Sequence, residues 1–242
     1  MIGVILAGGD GTRLAQSTGQ NVCKALREIN NLHLIEFALN NLIELEANET
    51  WVVIGKQGDL IKETIGDEYK GLPVRYVYQK EQKGLMNAFM EALDVMECDE
   101  TVLLQLSDEI LVNLNTEEIK TALKNSEIDF YCGVTHEENI QKIKNNFSVE
   151  TNEDSVLVKC IEKPQVVANN IKGTGFTIFS DKMLGIIKSK SDKLHELCDC
   201  FNYLTEQGFC GIALNVAERE FNINTMADLT EAEDFLKFST SK

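Results

Sequence analysis

The residues best equipped for chemistry stand near the start of the chain. Gly8, Gly9 and Gly11 fall within four positions and are followed at once by Thr12 and Arg13. Absent Cβ atoms let a ligand come close to the backbone. Glycine's conformational freedom also lets successive N–H groups point into one concavity and hold a phosphate. Arg13 adds a fixed charge whose planar fork suits phosphate oxygens. Two familiar phosphate loops do not fit. A Walker A loop ends in Gly-Lys-Ser/Thr, whereas here Thr-Arg-Leu follows the glycine, and Leu14 takes the place of the third small residue of a dinucleotide fingerprint.

Four later segments carry complementary groups. Gln79 ends an apolar stretch, and its amide offers a donor and an acceptor together, enough to pair with the edge of a base; Gly84 would let the backbone approach a flat ring. Asp108 closes the run Leu103-Leu-Gln-Leu-Ser and is a hard oxygen ligand of the kind magnesium takes once or twice from protein; Glu109 beside it is a second, weaker candidate. Glu162 and Lys163 pair a carboxylate acceptor with a point charge, which is what a phosphorylated polyol needs. Asn222 and Asn224 offer neutral amide oxygens.

These groups need a scaffold that brings them together. Ile2 to Ala7 is too short for a helix and is β-branched at three positions, so it reads as a buried strand delivering Leu6, Ala7 and the glycines. Helical spacing over Leu34–Leu45, a strand at Trp51–Gly55, a short helix at Asp59–Ile65 and a strand at Val74–Tyr78 follow. A helix over Gly84–Met96, a strand at Thr101–Leu106, a helix capped by Asn115 or Thr116 with Glu117 and Glu118 in its first turn, and a strand at Phe130–Val134 continue the alternation. That rhythm argues for a mainly parallel sheet with helices on both faces. From Phe147 short strands (Phe147–Thr151, Val156–Glu162, Gly173–Phe179) succeed one another and predict an antiparallel addition. Helices at Asp181–Ile187 and Lys193–Glu206, a strand at Gly211–Val216, an extended piece at Phe221–Ile223 and a helix at Met226–Phe238 complete the reading. Ligands of an open α/β sheet sit beyond the carboxyl ends of its strands, so the loop at 8–13, Gln79, Asp108 and Lys163 should converge.

With 242 residues and 43% apolar composition, the chain suits one large domain with a substantial core. A net charge of −16 would repel nucleic acid and anionic lipid, so neither is expected as a partner, and the few cations of a phosphate site gain weight. No run approaches the ~20 apolar residues of a membrane span, and the N-terminus has no secretory n-region. Seven cysteines, an odd number without a CxxC pair, then point to reduced thiols in a cytoplasm.

The strand plus Gly8-Gly9-Asp10-Gly11-Thr12-Arg13-Leu14 resembles the family of nucleotidyltransferases that activate sugar 1-phosphates to nucleotide sugars. The family pattern is LAGGxGTRL with a lysine about ten residues on, and Lys24, in Val-Cys-Lys-Ala-Leu, stands where that lysine belongs, with Cys23 in place of the usual proline. Four further motifs follow in the family's order. These are Gln79 with Gly84-Leu85-x-x-Ala88, Asp108 after Ser107 where the family has glycine, Glu162-Lys163-Pro164 with Thr174-Gly175, and Asn222 where many members carry a metal-binding aspartate.

The resemblance implies an α/β, Rossmann-like three-layer sandwich with a mostly parallel mixed sheet and a small antiparallel addition. It implies a single nucleotidyltransferase domain, 1–135 forming the nucleotide-binding part and 136–242 the sugar-phosphate-binding part, and a Mg²⁺ cofactor. Leu6, Ala7, Gly8, Gly9, Gly11, Thr12, Arg13, Gln79 and Gly84 would bind a nucleoside triphosphate. Glu162, Lys163, Thr174 and Gly175 would bind a sugar phosphate. Asp108 and Asn222 would hold the metal, and Arg13, Lys24, Asp108 and Lys163 would carry the reaction. Gln79 is compatible with thymine, uracil or cytosine. Family members often assemble, so a homo-oligomer is also implied. Two alternatives stay open: a glycosyltransferase using a nucleotide sugar, which would want an Asp-x-Asp motif where Ser107-Asp108-Glu109 stands, and a non-catalytic nucleotide-binding relative, motivated by Cys23, Ser107 and Asn222.

Overall fold

A computed structural model describes residues 1–9, 23–96, 99–190 and 192–239. Gly11, Thr12 and Arg13 lie outside these residues. At its centre runs β1 (Ile2–Ala7), parallel to β4 (Glu49–Ile54) on one side and to β7 (Val102–Leu106) on the other. Beyond β4 lies β6 (Leu72–Tyr78), also parallel, edged by the two-residue β5 (Glu68–Tyr69). All six residues of β1 are buried, the expected signature of a strand covered on both faces.

The other half of the sheet is built differently. β12 (Ile171–Phe179) pairs antiparallel with β7 and with β9 (Phe130–His136), so the antiparallel strands predicted beside the sheet are continuous with it. The register of β12 against β9 shifts between Gly173 and Thr177, and before that point β10 (Phe147–Thr151) replaces β7 as its neighbour. β11 (Leu157–Glu162) extends this edge, and β13 (Gly211–Asn215) joins β9 in parallel. A separate ribbon pairs β8 (Glu109–Leu114) with β14 (Ala217–Asn222), and a short hairpin pairs β2 (Glu28–Ile29) with β3 (Leu32–His33).

Helices cover both faces. On one, α3 (Leu85–Val95), α6 (Asp181–Lys188) and α7 (Leu197–Glu206) bury Phe89, Met183 and Phe201 against the sheet, with Phe89 and Phe179 stacked at 5.5 Å and Phe130 and Phe201 at 5.7 Å. On the other, α1 (Leu34–Glu44), α2 (Gly58–Ile65) and α4 (Thr116–Lys124) pack Leu39, Ile61 and Ile119. Gln105, the polar residue in β7, is buried because Asn41 of α1 donates to it at 2.9 Å. The short α5 (Ile140–Asn145) precedes β10, and α8 (Met226–Ser239) lays Leu229 and Ala232 over the β8–β14 ribbon.

Three local expectations need correction. The helix predicted from Lys193 begins at Leu197, because the Asp199 carboxylate accepts from the backbone N–H groups of His195 and Glu196 at 3.0 and 2.9 Å and holds Glu196 extended. Neither Asn115 nor Thr116 gives α4 a side-chain cap; the Asn115 amide donates to the Asn215 carbonyl instead. The piece at Phe221–Ile223 belongs mostly to the longer β14, whose partner β8 sequence periodicity did not reveal.

Candidate active site

The four parallel strands deliver their carboxyl ends to one side. There Ala7, Tyr78 and Leu106 are followed by Gly8, Gln79 and Ser107. Their backbones stay in register through Gln79 N–H to Ile54 O at 2.8 Å and Ser107 N–H to Leu6 O at 3.1 Å. A cleft of about 320 Å³ opens between them, lined by Leu6, Ala7, Gly8, Gly9, Lys24, Gln79, Gln82, Gly84 and Asp108 among others. Every described residue expected from the sequence to bind the nucleotide therefore lies on this one cleft.

Two glycines stand at close approaches. A Cβ on Gly8 would stand 2.4 Å from Gln79 Oε1, so the glycine leaves the Gln79 amide room to lie over the loop. Gly84 has φ +107, and a Cβ there would stand 2.6 Å from the His195 carbonyl. That carbonyl accepts the N–H of Met86 at 2.9 Å, so the first turn of α3 is fastened to the segment before α7 and only part of its N-terminus faces the cleft. Gln82, which sequence reasoning passed over, donates to the Gly8 carbonyl at 3.0 Å and ties the loop after β6 to the glycine loop.

A second cleft lies beside the first, lined by Lys142, Lys144, Asn146, Lys163, Lys172, Glu220, Asn222 and Asn224 among others. The wall between the two is a chain of polar side chains. The Lys24 ammonium is bonded to Asp108 and donates to Asn224 Oδ1 at 3.1 Å. Asn224 donates to Asn222 Oδ1 at 2.5 Å, and Asn222 Nδ2 reaches Asn146 Oδ1 at 3.2 Å and Glu109 Oε1 at 3.5 Å. The backbone supports this junction, since Ile223 N–H donates to the Asp108 carbonyl at 2.9 Å. Asp108 and Asn222, 114 positions apart in the chain, thereby share one hydrogen-bonded network.

Glu109 is buried at the back of this network. Burial first, and then the neighbouring Asp108 carboxylate, push its carboxyl up to about 7. It accepts the Gly175 N–H at 2.7 Å, and a Cβ on Gly175 would collide with Leu106. Thr174 is buried and donates its hydroxyl to the Gly133 carbonyl. Thr174 and Gly175 thus shape the wall behind the second cleft and are not among its lining residues. Glu162 and Lys163 pair with each other at 3.2 Å; Lys163 lines the cleft with φ +45, whereas Glu162 does not line it and accepts a weak bond from the Cys198 thiol.

The donor set fits magnesium by its chemistry. It consists of hard oxygens, one carboxylate and neighbouring amide oxygens, at the point where the two clefts meet, and a magnesium ion characteristically takes only one or two carboxylates and completes its shell with phosphate and water. Lys172 and Glu220 were missed in the sequence as functional candidates, and Asn224 was named beside Asn222 but not chosen as the metal ligand. Only Asn224 carried a usable signal, its spacing of two from Asn222 on an extended segment.

Known proteins share the sequence pattern and the fold. The nucleotidyl transferase family model matches residues 2–233. A UTP–glucose-1-phosphate uridylyltransferase from Haloferax volcanii is 27% identical over 245 aligned residues, covering 100% of this chain and 99% of its own. Among solved structures, the inositol-1-phosphate CTP transferase of T. maritima superposes with a TM-score of 0.81 at 20% identity, covering 98% of this chain and 94% of that one. A UDP-glucose pyrophosphorylase complexed with UDP-glucose gives 0.83 at 15% identity, with 98% of both chains covered. The α/β fold is shared with these solved structures. The chain belongs to the nucleotidyl transferase family.

Proposed function

We propose that this enzyme transfers a nucleotidyl group from a pyrimidine nucleoside triphosphate to a sugar 1-phosphate or similar phosphorylated polyol, giving a nucleotide sugar and pyrophosphate. The observation that carries the reading is the junction of two clefts at Lys24, Asp108, Asn224 and Asn222. Two separate substrates would meet there with their phosphates face to face. Residues 1–135 would supply the nucleotide side and 136–242 the acceptor side.

In this reading the base lies against Gln79 and Gly84, and the triphosphate runs along Gly8 and Gly9. Lys163 holds the acceptor phosphate, one oxygen of which attacks the α-phosphorus in line. The P–O bond to the β-phosphate breaks, and pyrophosphate leaves with the electron pair. No protein nucleophile is needed, because catalysis is positioning plus charge stabilisation. Lys24 and Arg13 neutralise charge on the triphosphate and leaving group. Asp108 and Asn222 would hold a Mg²⁺ ion, which when bound supplies Lewis-acid stabilisation of the α-phosphate oxygens. The relatives named above act on UTP-, CTP- and UDP-linked substrates, in line with a pyrimidine at Gln79. Described helices include none long and apolar enough to cross a membrane, and we place the reaction in the cytoplasm.

The test is pyrophosphate release across four nucleoside triphosphates and a panel of sugar and polyol phosphates, with and without Mg²⁺. Release that needs a triphosphate, an acceptor and Mg²⁺ together is expected. No release from any combination would overturn the reading.

A further inference from the structure

The second cleft has a floor that the reaction as proposed leaves unused. Lys172 on β12 and Glu220 on β14 are 2% and 3% exposed, pair ammonium to carboxylate, and both line the cleft that Lys163 and Asn222 share. Taking two charges out of water is compensated only when their remaining hydrogen-bonding capacity is met. Here it is not met. Lys172 engages Glu220 Oε2, while Glu220 Oε1, also buried, has no hydrogen-bond partner among the described residues.

Most of the donors nearest the pair are already committed. Asn222 Nδ2 goes to Glu109 and Asn146, and Asn146 Nδ2 to the Lys142 carbonyl. Lys142 pairs with Glu231 at 2.6 Å, and the Thr225 hydroxyl goes to Asp228 at 2.9 Å. None of these groups reaches Glu220 Oε1, which leaves its second acceptor site open to an occupant of the cleft.

We infer that Lys172 and Glu220 are specificity-determining residues for the second substrate, with Glu220 Oε1 accepting a hydrogen bond from a free hydroxyl of the polyol ring. The inference rests on the functional reading above and narrows its substrate class. The acceptor keeps an unsubstituted hydroxyl where it meets Glu220. A deoxy ring would leave the buried oxygen unpaired. A carboxylate at that position would face Glu220 with the Lys172 charge already taken. Sites built around a buried polar group reject analogues lacking the partner far more strongly than apolar pockets reject a missing methylene.

The experiment compares kcat/KM for glucose 1-phosphate, each of its monodeoxy analogues and inositol 1-phosphate. It uses the wild-type enzyme and the Lys172→Met/Glu220→Met double variant, which replaces the pair by apolar groups so that neither charge is stranded. The wild type is expected to lose about 10- to 100-fold on one deoxy analogue alone, mostly in the KM for the acceptor, with the KM for the triphosphate unchanged. The double variant should treat that analogue and its parent alike. Should the double variant not fold, Glu220→Asp is read in the same way, because it keeps the charge and withdraws the oxygen by one methylene. Discrimination that is flat in the wild type, or unchanged in the variant, overturns this inference and leaves the functional reading intact. Absence of pyrophosphate release with any acceptor overturns both.

Discussion

Gly8→Ala tests the assignment of Gln79 to the base without touching Gln79 itself. Gly8 is not at positive φ, so alanine is allowed in its backbone conformation. Losing glycine's freedom in the unfolded chain stabilises by about 0.4–1 kcal/mol. The new Cβ would lie 2.4 Å from Gln79 Oε1, the far end of a flexible side chain, which must swing aside. That displacement offsets the gain, so net stability should change by less than about 1 kcal/mol. For a chain of this length such a change moves the melting temperature by no more than about 4 °C. Binding is affected differently. An amide that reads a base edge makes two hydrogen bonds, each worth about 0.5–1.5 kcal/mol net. Their loss predicts a KM for the triphosphate raised about 5- to 150-fold, a flattened preference among bases and an unchanged KM for the acceptor. Pyrophosphate release against each triphosphate supplies the numbers, beside a thermal melt. Because Gly8→Ala acts through Gln79, combining it with Gln79→Ala should add little to Gln79→Ala alone. An unaltered base ranking in Gly8→Ala, or full additivity in the double variant, would refute the reasoning.

Gly84→Ala should behave in the opposite way. Its φ of +107 and a Cβ 2.6 Å from a backbone carbonyl leave no flexible group to yield, so a melting temperature lowered by at least about 4 °C is expected in calorimetry. Arg13→Ala should lower turnover sharply in the pyrophosphate assay, and an unchanged rate would remove Arg13 from the site. Tyr76, whose hydroxyl donates to the Gly66 carbonyl at 2.6 Å, is pushed up to about 12, first by burial and then by Asp67. The folded state therefore keeps the phenol proton that the unfolded chain begins to lose near 10, and this contribution is complete below pH 10 and declines from 10 to 12 as pH rises. Tyr76→Phe should cost about 1 kcal/mol in urea unfolding at pH 8, and its deficit relative to wild type should shrink by pH 11. Asn222→Asp removes the amide that donates to Glu109 and Asn146 and adds a carboxylate beside Glu109. It should melt lower than wild type without Mg²⁺ and regain the difference when Mg²⁺ is titrated in, as a melt series would show.

What the sequence made legible follows from where each signal lives. The run Ile2–Ala7 and its glycines form one local segment, so strand, loop and phosphate chemistry could be read together. Gln79 and Asp108 could be placed because each ends an apolar strand of a parallel sheet, and topology then sends both to the same edge. β8 was hidden because it opens with Glu109, a carboxylate that the sequence offered only as a second, weaker metal ligand. Its burial is made tolerable by the Gly175 N–H, 66 residues away. Lys172 was hidden for the same reason. A lysine in the buried strand Ile171–Phe179 makes sense only with Glu220 opposite, 48 residues further on in a different sheet. Buried charges are explained by partners at long range, and no window of sequence contains both.

The amide at 222, the largest departure from the family's motif, acquires a physical reason in this setting. The position must accept one hydrogen bond, from Asn224 Nδ2, and donate toward Glu109 and Asn146. A carboxylate could accept but not donate. It would also be a third acid beside Asp108 and Glu109, in a pocket where burial and Asp108 already push Glu109 upward. An asparagine keeps the oxygen directed at the junction of the two clefts and leaves Asp108 as the charge there. With Lys24 bonded to Asp108, the junction is closer to electrical neutrality before any substrate arrives. If the proposed metal binds here, a site organised this way would rely on the substrates' own phosphates to complete its coordination. Metal affinity should therefore be weak in the free enzyme and rise steeply once the triphosphate is bound.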